Sequence, residues 1–289
     1  MAKICFSVIV FNGNFVLEEC LRSILPFGKV VVAEGPVAYW SNRGFTTSTD
    51  GTNELLDKML PAENIVHGQF REKDDEVNAT LHLVPDDTTH ILAVDSDEIW
   101  RKEDLQRIIG MLDDYDSMSF KANSFFGGFD RIMGGFEENF EVHRIQRWYP
   151  GARWATHRPP TILAPDNRPW SSHRHLGHEA TDAMGIRFYH YSYCFPRQMI
   201  EKHTYYDATL PGVMIPDYLR KVYLPWVMGQ DREGIEAKYQ GVHNFYPERR
   251  GPAFTKKFEG KHPYWIDRNM DVLKAKFSDQ LKEMLWTLK

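Results

Sequence analysis

The chain opens with Ile4-Cys5-Phe6-Ser7-Val8-Ile9-Val10, an apolar run broken only by one serine. Such a run reads as a strand covered on both faces, as in a parallel sheet. Phe11-Asn12-Gly13-Asn14 is a polar turn. Val16, Leu17, Cys20, Leu21 and Ile24 then recur at helical spacing until Pro26 stops the helix. Lys29 to Ala33 is a second strand, closed by Glu34-Gly35-Pro36. The loop that follows runs to about a dozen residues, longer than an ordinary βα connection. Ser48-Thr49-Asp50-Gly51-Thr52 opens a helix through Leu60, with Leu55, Leu56 and Met59 on its buried side. Asn64 to Val66 is a short third strand, Lys73 to Val84 a helix, His90 to Val94 a fourth strand and Arg101 to Leu112 an amphipathic helix. This alternation predicts an α/β fold with a Rossmann-like, mostly parallel sheet flanked by helices.

The pattern changes after residue 113. Ser117 to Ala122 alternates as a strand does, and Gly127-Gly128 and Gly134-Gly135 bracket a hairpin region. Val142 to Trp148 and Ile186 to Tyr191 read as further strands. From Pro196 onward the chain reads as helices and aromatic loops. Arg268 to Leu288 closes it as an amphipathic helix with Met270, Leu273, Phe277, Leu281, Met284, Leu285 and Leu288 on one side. The expected organisation is an α/β domain over 1–195 and a helical, aromatic-rich extension over 196–289, packed on the same domain. A length of 289 residues with 42% hydrophobic residues suits that reading.

Charge and cysteine content narrow the class. A net charge of −5 argues against a general nucleic-acid binder, leaving a local basic patch open. The three cysteines, Cys5, Cys20 and Cys194, lack metal-ligand spacing, so a reducing, cytoplasmic compartment is expected. No apolar run approaches a membrane span, and Met1-Ala2-Lys3 leads straight into the first strand, so neither a span nor a signal peptide is expected. Aromatic residues make up 13% of the chain, many of them after residue 120. Besides core packing, such rings can form flat platforms for a sugar or a base.

The main candidate for chemistry is the end of the fourth strand, Val94-Asp95-Ser96-Asp97-Glu98. Asp95 and Asp97 are two apart, so in an extended segment they point the same way. Carboxylates crowded at the edge of a sheet repel unless a positive group lies between them, and a hard cation with oxygen ligands is one solution. A solvated turn before a helix is the other. Alone, a D-x-D pair leaves both open.

Four motifs in order resemble the family 2 glycosyltransferases of the GT-A fold. Phe6-Ser7-Val8-Ile9-Val10-Phe11-Asn12 looks like the family's opening element. Ser48-Thr49-Asp50-Gly51-Thr52 matches its serine-threonine-aspartate-glycine-threonine segment. Val94-Asp95-Ser96-Asp97-Glu98 matches the aspartate-x-aspartate-glutamate variant of its metal motif, and Phe188-Tyr189-His190-Tyr191-Ser192-Tyr193 its late histidine-tyrosine segment. The resemblance implies a metal-dependent enzyme that moves a sugar from a nucleotide-diphospho-sugar donor, UDP- or GDP-linked, with inversion. It implies Mn²⁺ or Mg²⁺ held by Asp97, with Asp95 and His190 as further ligands. Donor contacts fall on Phe11, Asn12, Glu34, Asp50, Lys73 and Asp95. Glu179 and Asp182 come first as the base that takes the acceptor proton, with Glu137 and Glu138 behind them. A carbohydrate, lipid-linked sugar or protein is the expected acceptor; nucleic acid is a remote one.

The chain departs from the family at several points. An insertion separates Glu34 from Ser48, and Val77-Asn78 replaces an arginine-asparagine pair. A strand ending in histidine-glutamate is common in the family; here Arg144 to Trp148 leads to His157-Arg158-Pro159, with arginine where glutamate would be. The run His173, His175, His178 invites a zinc reading, but its spacings of two and three are not those of a zinc site. It reads instead as a basic loop near the donor diphosphate, with Arg174 contributing. Two other classes stay open. A phosphohydrolase with an aspartate nucleophile would place its motif after the first strand, not the fourth. A non-catalytic nucleotide- or sugar-binding module would fit the departure at His157-Arg158.

Overall fold

The computed structural model of the protein describes residues 2–158, 160–169 and 174–288. Pro159 and His173 therefore lie outside the described residues. The chain is α/β, with a mostly parallel sheet flanked by helices and a long helix near its C-terminus. It divides into two compact units: Met1–Lys121 with Glu141–Phe188, and Ala122–Phe140 with Tyr189–Lys289.

The strands are β1 (Ile4–Val10), β2 (Lys29–Glu34), β3 (Ile65–His67), β4 (His90–Asp95), β5 (Glu98–Ile99), β6 (Ser117–Phe126), β7 (Arg131–Met133), β8 (Val142–Arg147), β9 (Arg153–Thr156), β10 (Thr161–Leu163), β11 (His175–Leu176), β12 (Arg187–Tyr193) and β13 (Thr255–Lys257). In the first unit β4, β1, β2 and β3 lie side by side and parallel. β8 runs antiparallel to β4 on one side and to β6 on the other. All seven residues of β1 are buried, as expected of the central strand of a sheet covered on both faces. Ser7, the one polar residue in that strand, hydrogen-bonds the Thr80 hydroxyl at 2.8 Å. Thr80 ends the helix Lys73–Thr80, which packs beside Cys5, Ile9, Val31 and Ala33 through Val77.

The chain passes from β1 outward to β2 and β3, then returns to place β4 on the other side of β1. The direction of winding therefore reverses between β1 and β4. Open α/β sheets bind ligands outside the carboxyl ends of the strands at such a reversal. At the neighbouring strand ends, β2 leads into Gly35, whose φ is +148°. A Cβ there would sit 1.8 Å from the Gly68 carbonyl oxygen, so only glycine fits that approach.

The second unit has its own core of Phe126, Met199, Tyr218, Tyr223 and Trp226. Its strands β6, β7 and β13 pair antiparallel through Phe125, Ile132 and the 131–133 segment. The closing helix, Tyr264–Thr287, starts four residues before the periodicity begins, directly after Pro263. Leu273 and Met284 on its expected face are buried. Segment 122–140 belongs to this unit although it precedes β8, because β6 continues to Phe126 and returns through β7. Among the described residues no helix is long and apolar enough to cross a membrane. All three cysteines are free and buried, and burial pushes the Cys5 thiol up to about 12, which keeps it unreactive.

Glu76, on the helix Lys73–Thr80, is only 3% exposed. Burial raises its carboxyl to about 8, Lys73 opposes that rise, and Glu34 adds to it. The folded value lies above the unfolded one, so the group's contribution to stability is complete below about pH 4.5 and is lost as pH rises toward 8. Glu76→Gln keeps the shape of the protonated form. Its stability gain over the wild type is expected to grow between those limits to a few kcal/mol, on the order set by the shift, and then level off. Denaturant melts at several pH values check this; parallel stability curves for the two proteins refute it.

Candidate functional site

The reversal between β1 and β4 is built from three short segments of the first unit. Asn12, just past β1, has a φ of +48°, a left-handed conformation that asparagine tolerates better than most residues. Its backbone N–H donates to Ser48 Oγ at 2.8 Å, and its side-chain oxygen accepts from the Thr49 N–H at 2.8 Å. Asp50 accepts from the Asn14 N–H at 2.9 Å and from the Thr52 N–H and hydroxyl. Thr52 in turn accepts from the Gly13 N–H at 3.1 Å. The 48–52 segment is thus fastened to the β1 turn by its own polar side chains.

Glu34 completes the fastening from the end of β2. It is fully buried and accepts from the Ser48 N–H at 2.7 Å, from the Thr47 hydroxyl at 3.0 Å, and pairs with His67 Nδ1 at 2.9 Å. Glu34 and Asp50, both expected at the donor, each spend their carboxylate oxygens on the loop in this structure. The long loop after β2 brings Trp40 and Phe45 against Phe11, at ring-centroid distances of 6.0 and 5.7 Å. All three rings are partly exposed beside Asn12. The sequence marked the loop by its length alone; Trp40 and Phe45 had no motif to single them out.

The carboxylates at the end of β4 are arranged around one arginine. Arg144, on β8, donates from Nε to Glu98 at 2.8 and 3.1 Å and also from Nη2. The same Nη2 reaches Asp95 Oδ2 at 3.1 Å. Glu98 is fully buried and the Arg144 side chain is 4% exposed. Arg158 also pairs with Asp95 Oδ2, from a side chain that is 43% exposed. Asp97 lies half-buried in the turn between β4 and β5. Arg144, which the sequence offered only as part of the strand ahead of His157-Arg158, is therefore the cation that neutralises two of the three carboxylates.

His157 sits among these charges, its Nε2 3.8 Å from Asp95 Oδ1 and 3.3 Å from the Arg158 Nε. Burial, then Lys73 and Arg144, pull its pKa down to about 2, so the ring is neutral and accepts from Arg158. Lys73 heads the helix Lys73–Thr80, and its charge acts on the His157 ring. A small cleft beside this group is lined by Ala93, His143, Arg144, Gln146, Trp154 and His157. Lys73 and Arg158 beside a neutral imidazole make a basic patch suited to phosphate oxygens, while Arg144 is spent on Glu98 and Asp95.

The acids expected to act as base have cationic partners. Asp182 bonds Arg187 Nε at 2.5 Å and Lys121 at 3.3 Å. The hydrogen bond from Arg187 holds its carboxyl below the usual range, which weakens it as a proton acceptor. Glu179 pairs with Lys121 at 3.0 Å. Arg174, expected near the diphosphate, is held to Asp116 at 2.9 Å. In the second unit Glu137 bonds His243 at 3.0 Å, and His190 lies half-buried on β12.

No protein-family model matches the chain, and a comparison with curated proteins finds no match. Among solved structures the chain is similar to TarS from S. aureus. TarS 1-349 aligns over 82% of this chain and 72% of that one, at 14% identity and a TM-score of 0.41. A second TarS crystal structure aligns over 82% of this chain and 45% of that one, at 15% identity and a TM-score of 0.40. TarS 1-349 in complex with UDP-GlcNAc aligns over 44% of this chain at 22% identity and a TM-score of 0.34. In that alignment the chain spans 36% of the other's length.

Removing Arg144 takes its guanidinium partner from the buried Glu98 carboxylate. Arg144→Met is expected to cost about 3 kcal/mol or more, and adding Glu98→Met is expected to recover most of it. Urea unfolding of the two single variants and the double variant measures the coupling. A loss under about 1 kcal/mol for Arg144→Met refutes the pairing as a determinant of stability.

Proposed function

We propose that the protein is a metal-dependent glycosyltransferase that uses a nucleotide-diphospho-sugar donor and inverts the transferred sugar. The observation that carries this reading is the joining, at one reversal of strand order, of a fastened loop over 48–52, carboxylates at the end of β4 and a basic patch. The resemblance of the four sequence motifs supplies the reaction class.

Phe11, Trp40 and Phe45 give the nucleobase a face to stack on, beside the polar backbone around Asn12. Glu34 and Asp50 hold the loop in place for the nucleoside. The diphosphate enters the patch of Lys73 and Arg158. Arg158, the more exposed partner of Asp95, turns from that carboxylate to the phosphate oxygens. Arg144 stays with Glu98. Asp97 and the released Asp95 suit a hard cation, since both offer carboxylate oxygens on one short turn. Mn²⁺ or Mg²⁺ there would stabilise the charge that builds on the departing diphosphate. Neutral His157 accepts a hydrogen bond without adding charge.

One observation favours a second reading. Asp95 is already neutralised by two arginines, as befits a module that binds a nucleotide or sugar without transfer. Donor turnover separates the two. With Mn²⁺, the protein is expected to cleave one nucleotide sugar slowly in the absence of acceptor. Asp97→Ala is expected to lower metal-dependent donor binding by at least about tenfold, read as loss of the donor-induced thermal shift. Binding of a nucleotide sugar with no cleavage under any divalent ion would support the module; full binding by Asp97→Ala would move the metal away from that residue.

A further inference from the structure

A second group of metal-ligating side chains gathers where β8 begins. The pairing of β8 with β6 shifts register there: Ser119 stands opposite His143 and Met118 opposite Ile145, with Arg144 between. Glu141 directly precedes β8 and turns its carboxylate toward His143. β11 lies parallel beside β6 and brings in His175, opposite Ser117. His178 follows at the start of the helix His178–Ala183.

Glu141 Oε1 lies 3.7 Å from His143 Nε2, 3.5 Å from His175 Nε2 and 3.3 Å from His178 Nδ1. The ligand atoms of Glu141, His143 and His175 all fall within 4.8 Å of one another. Ligand atoms at zinc distances of about 2.0 Å on a tetrahedron are about 3.3 Å apart, so the group needs little contraction to close on an ion. The outward nitrogens are also tied down. His175 Nδ1 meets the Ser117 hydroxyl at 2.7 Å, and His178 Nε2 meets Glu179 at 3.3 Å. Such bonds to the far nitrogen fix the orientation of metal-bound imidazoles. The Ser119 hydroxyl donates to Glu141 Oε1 at 2.6 Å, anchoring the carboxylate.

We propose that Glu141, His143, His175 and His178 form a site for a divalent transition-metal ion of zinc type, distinct from the carboxylates at the end of β4. Three imidazoles and one carboxylate select such an ion over Mg²⁺ or Ca²⁺. The sequence hid the site because its histidines come from a strand and a segment more than thirty positions apart: His143 and His175 differ by 32. It pairs the histidines after residue 174 with Glu141 and His143, not with one another.

The test uses the full chain without a histidine tag, stripped with chelator and titrated with Zn²⁺ and with Co²⁺. The wild type is expected to bind one Zn²⁺ with a Kd below about 1 µM and to show the visible bands of tetrahedral Co²⁺. His175→Ala and the milder His143→Gln are each expected to weaken binding by about 100-fold and to lose the bands, with circular dichroism confirming that they fold. Asp97→Ala is expected to bind Zn²⁺ as the wild type does, whatever it does to donor binding. A wild type that shows no Zn²⁺ binding below about 10 µM, or histidine variants that bind as tightly as it does, overturns the site. Loss of Zn²⁺ in Asp97→Ala with retention in both histidine variants overturns it as well, by placing the ion at β4.

Discussion

Three carboxylates crowded within four residues at the end of β4 are tolerable only because a cation reaches them. Arg144 is that cation, and its position dictates much else in the first unit. It must stand on the strand next to β4, so β8 is inserted there antiparallel. Its fork spans Glu98 and Asp95 together, which a lysine ammonium would not do with the same geometry. Glu98, fully buried, is thereby a fixed structural anion. Asp95 is shared between a buried arginine and a more exposed one, so it is the carboxylate whose partner can change.

The alternating strands and helices of the first 113 residues were readable from the sequence because both faces of β1, β2 and β4 are covered. Continuous apolar runs leave little ambiguity of type, and the observed strands differ from the expected ones by about a residue, as helix and strand ends commonly do. The closing helix was readable for a different reason: a 3.6-residue apolar stripe persists over its length. The short pairs β5, β9, β10, β11 and β13 were not readable. Each has two to four residues, too few for alternation to register; β5, β11 and β13 form beside distant segments, and β9 and β10 pair only with each other.

The candidate site divides along the same line. Asn12, Asp95 and the 48–52 segment announce themselves because short polar motifs interrupt apolar runs. Glu34 was visible as a strand end, but not as the buried acceptor that holds the loop. His157 and Arg158 were visible only as a departure from the family pattern; the structure shows what they neighbour. Trp40, Phe45 and the grouping of Glu141 with three histidines depend wholly on tertiary folding, and no spacing rule reaches across a sheet.

β8 has a consequence for what changes the chain can absorb. Its pairing with β6 shifts register at Arg144, which stands between the residues opposite Met118 and Ser119. That irregularity lets Arg144 reach Glu98 while His143 stays beside Glu141. Point substitutions affect these contacts one at a time. A single-residue insertion or deletion between 141 and 144 would instead move the irregularity and carry both sets of contacts out of place together. Variation in chain length should therefore be excluded from this strand.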